Sequence, residues 1–167
     1  SLSNISLWTN YSGSWQMNKS QQLLGTSNSS LISMSGMKDG SYNWSCGAND
    51  TATNWAMATE NRTFFIDSTP PNITSKSPTG TDTDGTINLS ATTSEPAICK
   101  YSTSDLNFSN MTLSMEGSGT SHTKQLTLAN GAHTYYFRCN DTAANEMGHS
   151  ETTTFTLLLI VFTISVY

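Results

Sequence analysis

The sequence predicts an all-β protein made of two consecutive β-sandwich modules, and three observations carry that reading. Ser and Thr number 26 each in 167 residues, while Lys plus Arg is only seven, a supply that favours strands and turns over helices. A fifteen-residue pattern occurs twice, at 40–54 and at 131–145, as expected of two copies of one structural unit. Finally, short β-rich runs separated by turn residues recur at even spacing through the second half of the chain. No stretch sustains the three-to-four-residue apolar spacing of a helix.

In chain order, the first strand candidates are N-I-S-L-W-T, a run around Trp15 to Met17, and L-I-S-M-S at 31–35. The first copy of the repeat follows, G-S-Y-N-W-S-C-G-A-N-D-T-A-T-N, introduced by the turn pair Asp39-Gly40. Its counterpart, G-A-H-T-Y-Y-F-R-C-N-D-T-A-A-N, is introduced by Asn130-Gly131. In that alignment Trp44 matches Tyr135, Cys46 matches Phe137 and Ala48 matches Cys139. These alternate positions share one face of a strand, expected to be the inward one. Each copy ends in N-D-T-A-x-N, where Asp and Asn favour a turn by bonding their own backbone, and each leads to a last strand, R-T-F-F-I-D at 62–67 or T-T-F-T-L-L at 153–158.

Between the modules lies S-T-P-P-N at 68–72. A double proline does not sit inside a paired strand and stiffens an extended connection, so this reads as a linker. Beyond it come N-I-T-S-K, T-I-N-L-S-A-T, I-C-K-Y-S, T-K-Q-L-T-L, T-Y-Y-F-R-C and T-F-T-L, a sandwich's worth of strands. The first module has about two strands fewer, so residue 1 is expected to fall inside a domain that lacks its N-terminal strands. The expected organisation is a partial module at 1–67, a linker at 68–72, a full module at 73–158 and an apolar C-terminal segment at 159–167.

That last segment has two readings. No charge occurs from Thr152 to Tyr167, and the polar–apolar alternation stops after Leu157. It is either the beginning of a membrane span, which needs about 20 apolar residues, or a long final strand able to pair with another subunit's open sheet.

Asparagine context is the strongest compositional feature. Twelve of 15 Asn lie in N-x-S/T: Asn4, Asn10, Asn18, Asn28, Asn43, Asn49, Asn61, Asn72, Asn88, Asn107, Asn110 and Asn140. Chance would place about five there in a chain this rich in Ser and Thr. The excess predicts a glycoprotein, without every site being filled.

S-L-W-T-N-Y-S-G-S-W, D-G-S-Y-N-W-S-C-G-A-N-D-T-A-T-N and N-R-T-F-F-I-D-S-T-P-P-N-I-T resemble the immunoglobulin-like repeats of archaeal and bacterial surface proteins. A-I-C-K-Y-S-T-S-D and Y-Y-F-R-C-N-D-T-A-A-N are similar to the fibronectin-III-like relatives of those repeats. Together these stretches cover most of residues 2–157. The resemblance implies tandem Ig-like or fibronectin-III-like β-sandwiches, and says little about function because such modules recur in stalks, adhesins and envelope layers alike. The usual D-x-A-G-N turn is here D-T-A-T-N and D-T-A-A-N, without its glycine.

In a module of that order the strands carrying Cys99 and Cys139 are neighbours, so the resemblance implies a Cys99–Cys139 disulfide and hence an oxidising, extracellular setting. Two buried free thiols are the alternative. Cys46 is left over, with a partner expected upstream of residue 1, or a free thiol, or an intermolecular bridge.

Catalysis is not expected. His122, His133 and His149 are far apart in sequence, with no H-E-x-x-H frame, nucleophile elbow or Gly-rich phosphate loop. No cofactor and no metal site is expected. T-D-T-D-G-T at 81–86 lacks the third acid and bidentate Glu of a calcium loop, so Asp82 and Asp84 read as a surface turn. Asp50 with Asn54 and Asp141 with Asn145 are likewise read as loop caps, with an interdomain calcium site as the lesser reading. A net charge of −5 with scattered basic residues argues against nucleic acid.

Trp8, Tyr11, Trp15 and Trp55 are candidates for stacking on sugar rings, against packing in a small core. The expected function is a non-catalytic extracellular structural or adhesive surface module, with a stalk, spacer or envelope role. Its expected partners are neighbouring Ig-like modules, glycans or other surface proteins. A carbohydrate-binding accessory module and a calcium-dependent adhesion module are the alternatives.

Overall fold

The computed structural model describes residues 1–160. Apart from one 3₁₀ turn at Phe108–Asn110, every regular element in them is a strand. The chain divides into two compact units, Ser1–Ser68 and Thr69–Tyr167.

Unit 1 contains β1 (Leu2–Thr9), β2 (Gln16–Gln22), β3 (Gly40–Asp50), β4 (Trp55–Met57) and β5 (Arg62–Ile66). They form one antiparallel sheet in which β1 lies between β2 and β3, and both β4 and β5 pair with the far side of β3. β5 takes residues 40–44 of β3 and β4 takes residues 47–49; between them the Ala58 N–H donates to the Cys46 carbonyl at 2.8 Å, after which the ladder is interrupted before Arg62 pairs with Trp44.

Unit 2 contains β6 (Ile73–Ser77), β7 (Gly80–Asp82), β8 (Thr86–Thr93), β9 (Ala97–Ser102), β10 (Leu113–Ser114), β11 (Glu116–Ser118), β12 (Ser121–Thr127), β13 (Gly131–Asp141) and β14 (Glu151–Leu157). One sheet runs β10-β9-β13-β14-β7 and the other β11-β12-β8-β6. All pairs are antiparallel except β14 with β7. The inner faces follow the period-two rule: Ile87, Leu89 and Ala91 from β8 meet Cys99 and Tyr101 from β9, Tyr135, Phe137 and Cys139 from β13, and Phe155 and Leu157 from β14. All of these are buried, with Phe137, Cys139, Ile87, Leu89 and Leu157 at 0% exposure. This is a β-sandwich core.

Cys99 and Cys139 are joined by a disulfide across a loop of 40 residues. They are directly opposite each other in the β9–β13 ladder. The carbonyl of Cys99 accepts from Met115, and that of Cys139 from Met147, so the pair's main-chain groups bond outward and its side chains meet on the buried face.

Several expectations need correction. The face of β3 carrying Trp44, Cys46 and Ala48 is half-buried, whereas the buried residues of that strand are Ser45 and Gly47 on the opposite face. The equivalent face of β13 is sealed because a second sheet packs on it; among the described residues of unit 1 there is one sheet, so the Trp44 face is covered only in part, by the segment carrying Ile32 and Met34. Residues 31–35, expected as a strand, join no ladder. Ile32 and Met34 instead rest beside Leu7, Trp44 and Phe64 at a groove of about 290 Å³, while Leu31 stays 89% exposed.

The proline segment is not free along its whole length. Pro71 is fully buried, and Asn72 is tied to Ser94, accepting from its N–H at 2.8 Å and donating to its hydroxyl at 3.0 Å. Strands β4, β7, β10 and β11 have only two or three residues each, too short to show an alternation in sequence. Of the apolar C-terminal segment, Leu159 packs against the unit 2 core and its N–H donates to Asn130 at 2.6 Å. Residues 161–167 lie outside the described residues, and with them the choice between membrane span and terminal strand. No helix among the described residues is long and apolar enough to cross a membrane.

Candidate functional site

The two repeated loops adopt one geometry. Asp50 Oδ1 accepts from the N–H groups of Ala52 and Asn54, each at 2.9 Å, and Oδ2 accepts from the Asn54 side chain at 2.9 Å. Asp141 does the same with Ala143, Asn145 and the Asn145 side chain, each at 2.8 Å. Where glycine was missing from the motif, Thr53 and Ala144 take positive φ, 67° and 70°. The Asn54 side chain and backbone hold the Asp50 carboxyl below its ordinary pKa. Burial pushes that of Asp141 up, but the donors from Asn145, Ala143 and Ala144 outweigh it, and the result is again a lowered value. Within each unit these carboxylates act as loop caps. At 81–86, Asp82 Oδ1 accepts from the Asp84 N–H at 2.8 Å, which is a turn.

The three histidines are dispersed in unit 2. His122 is 2% exposed, its Nε2 lying 3.4 Å from Thr93 Oγ1, and burial lowers its pKa. His133 Nε2 lies 2.9 Å from the Ala129 carbonyl, whereas His149 is 80% exposed near Glu151.

The four aromatic candidates separate into three places. Tyr11 stacks edge-on with Tyr42 at 5.8 Å and donates its hydroxyl to the Gly36 carbonyl at 2.8 Å. Trp15 stands just before β2 at 39% exposure. Trp8 and Trp55 come together, ring centroids 6.1 Å apart and edge-on.

That pair is built by register. Trp8 is opposite Ser45, Ser6 opposite Gly47, Met57 opposite Gly47 and Trp55 opposite Asn49, so all lie on one sheet face. Met17 adjoins Trp8 from β2. The Trp8 indole leans along its own strand, donating to Ser6 Oγ at 3.1 Å. Gly47 lets Trp55 and Met57 approach the strand closely, since a Cβ there would sit 3.1 Å from Trp55 Cζ2 and 3.0 Å from Met57 Sδ. The result is an indole platform with Trp55 56% and Met17 53% exposed, above a floor of Ser6, Ser45 and Gly47. Ser45 Oγ is buried with no hydrogen-bond partner. Sequence reasoning named both tryptophans but not their meeting, because Trp55 sits on a three-residue strand whose pairing only the fold reveals.

Cys46 lies on the opposite face, half-buried beside Ile5, Leu7 and Trp44. None of the twelve sequon asparagines is buried: Asn28, Asn43, Asn61, Asn72, Asn88, Asn107 and Asn110 are exposed, and Asn4, Asn10, Asn18, Asn49 and Asn140 are half-buried. No family model and no curated protein matches the chain.

Proposed function

We propose that this chain is an N-glycosylated, non-catalytic structural or adhesive segment of an extracellular surface, built of Ig-like or fibronectin-III-like modules. The observation that carries this is the sequon set: twelve asparagines, none of them in the core. The Cys99–Cys139 disulfide fits an oxidising compartment.

Support for the Ig-like reading comes from strand order in unit 2. Taking β6, β7, β8, β9, β10, β11, β12, β13 and β14 as strands A, A′, B, C, C′, D, E, F and G, the sheets read D-E-B-A and C′-C-F-G-A′, the ABED and CFG arrangement of such sandwiches. The disulfide departs from it, bridging neighbouring strands of one sheet rather than the two sheets.

The test is mass spectrometry of the chain isolated from its own source, with glycopeptide mapping, together with protease shaving of intact cells. Glycan-bearing peptides released by shaving are expected. An unmodified chain that resists shaving would sink the proposal. A second reading, contact with carbohydrate, is favoured by the Trp8–Trp55 pair, of which Trp55 is exposed and Trp8 half-buried. It predicts that glycan-array binding is lost in Trp55→Ala.

A further inference from the structure

The indole platform is bordered by two of the chain's own glycosylation sequons, Asn4 and Asn49. Asn49 is the direct register partner of Trp55 on one side and of Asn4 on the other. Both are N-x-S/T asparagines. Trp8 and Trp55 converge one row further along, over Ser6 and Gly47.

Between Asn43 and Asn49, and across to the paired residues of β1, β2 and β4 on this face, no side chain is charged: Asn4, Ser6, Ser20, Gln22, Met17 and Met57 surround the indoles. An exposed apolar patch this rich in aromatic surface calls for an occupant. An anion finds no cationic partner here and a cation finds only the indole faces, whereas a neutral sugar uses both the indoles, through its C–H faces, and the surrounding amides, through its hydroxyls.

We infer that the occupant is the chain's own glycan, carried on Asn49 and folded back over Trp55 and Trp8. This rests on the glycoprotein reading proposed above. Asn49 suits attachment better than Asn4. Its Nδ2 makes only a 3.4 Å contact with the Asp50 carbonyl, and its sequon runs into the reverse turn, where Thr51 is exposed. The sequon hydroxyl of Asn4, Ser6 Oγ, is already engaged by Gly47 and Trp8.

The attachment is a group transfer from a lipid-phosphate-activated glycan. The Asn49 Nδ2–C1 bond forms, the C1–O bond to phosphate breaks, the amide loses one proton and the lipid phosphate departs. Once attached, the glycan turns an apparent receptor patch into covered surface, so that unit 1 is closed on this face by sugar rather than by protein.

The chain secreted from an N-glycosylating host is compared with the same chain made in a host that does not glycosylate, each as wild type, Asn49→Gln and Trp55→Ala. The expected result is glycan at Asn49, a tryptophan-monitored melting temperature several degrees higher in the glycosylated wild type, and loss of that difference in both variants. Sugar-ring proton resonances shifted upfield by the indoles are expected in the wild type and not in Trp55→Ala. Glycan at other sequons with Asn49 bare, or glycan at Asn49 with neither upfield shift nor melting difference, would overturn the inference and leave the glycoprotein reading standing. A chain bare at all twelve sequons would overturn both.

Discussion

Removing the Cys99–Cys139 bridge tests how much of unit 2's stability comes from its cross-link rather than its core. The two residues are separated by 40 positions. In the chain-entropy model, closing such a loop removes about 13 cal/mol/K from the unfolded ensemble, or about 4 kcal/mol at 25 °C. For a unit of this size each kcal/mol shifts the melting point by roughly 4–8 °C, so loss of the bridge is expected to lower it by roughly 15–30 °C. Both cysteines are at most 1% exposed, so truncation also leaves a small cavity that adds to the loss.

The assay is urea denaturation of wild type and the double variant Cys99→Ala/Cys139→Ala, with Cys46→Ala as control. All four tryptophans lie in unit 1, so their fluorescence reports that unit, while near-UV dichroism sums the rings of both units, including the buried Tyr101 and Tyr135, and a transition seen there but not in fluorescence belongs to unit 2. The urea slope is expected to steepen in the double variant, because an uncrosslinked chain exposes more surface on unfolding. A difference of less than about 1 kcal/mol between wild type and double variant would refute the loop-entropy argument.

The remaining predictions concern the loops, the buried histidine and the glycine cradle. Ala144→Gly and Thr53→Gly are each expected to stabilise their unit by about 0.5–1 kcal/mol in urea melts, relief of left-handed strain exceeding glycine's added chain entropy; a loss at either site would contradict the positive φ. His122 has a folded-state pKa below its ordinary 6.5, so the unfolded chain takes up its proton first. Its neutral form therefore supports the fold fully above about pH 6.5. That support declines as pH falls from there and is gone below the folded value. His122→Phe is expected to flatten the stability profile below about pH 6.5, and an unchanged slope would count against burial as the cause. Gly47→Ala is expected to alter the tryptophan near-UV spectrum, since a Cβ at 3.0 Å from Met57 Sδ and 3.1 Å from Trp55 Cζ2 displaces both side chains; an unaltered spectrum would argue against the cradle.

Much of unit 2 was legible because its strands are long enough to alternate. Ile87, Leu89 and Ala91, or Tyr135, Phe137 and Cys139, repeat every second residue with polar residues between, and two buried sheet faces require that pattern. The same pattern misled in unit 1. Trp44, Cys46 and Ala48 carry the inward signature, but a period-two pattern states only which residues share a face, not whether anything packs against it. Residues 31–35 failed for a related reason: Ile32 and Met34 alternate as in a strand, yet a strand exists only when a neighbour supplies its hydrogen bonds.

The sequence by itself determined the all-β class, the repeat, the positions of the caps and the sequons, because these depend on local backbone preference and on residues a few positions apart. The pairing of Trp8 with Trp55, the glycine beneath them and the half-open face behind Trp44 were decided by the tertiary structure alone. They depend on the register of β1 against β3, some 40 residues apart, combined with that of β4 against the same strand, and register is fixed by the competition among all possible pairings, which no local pattern encodes.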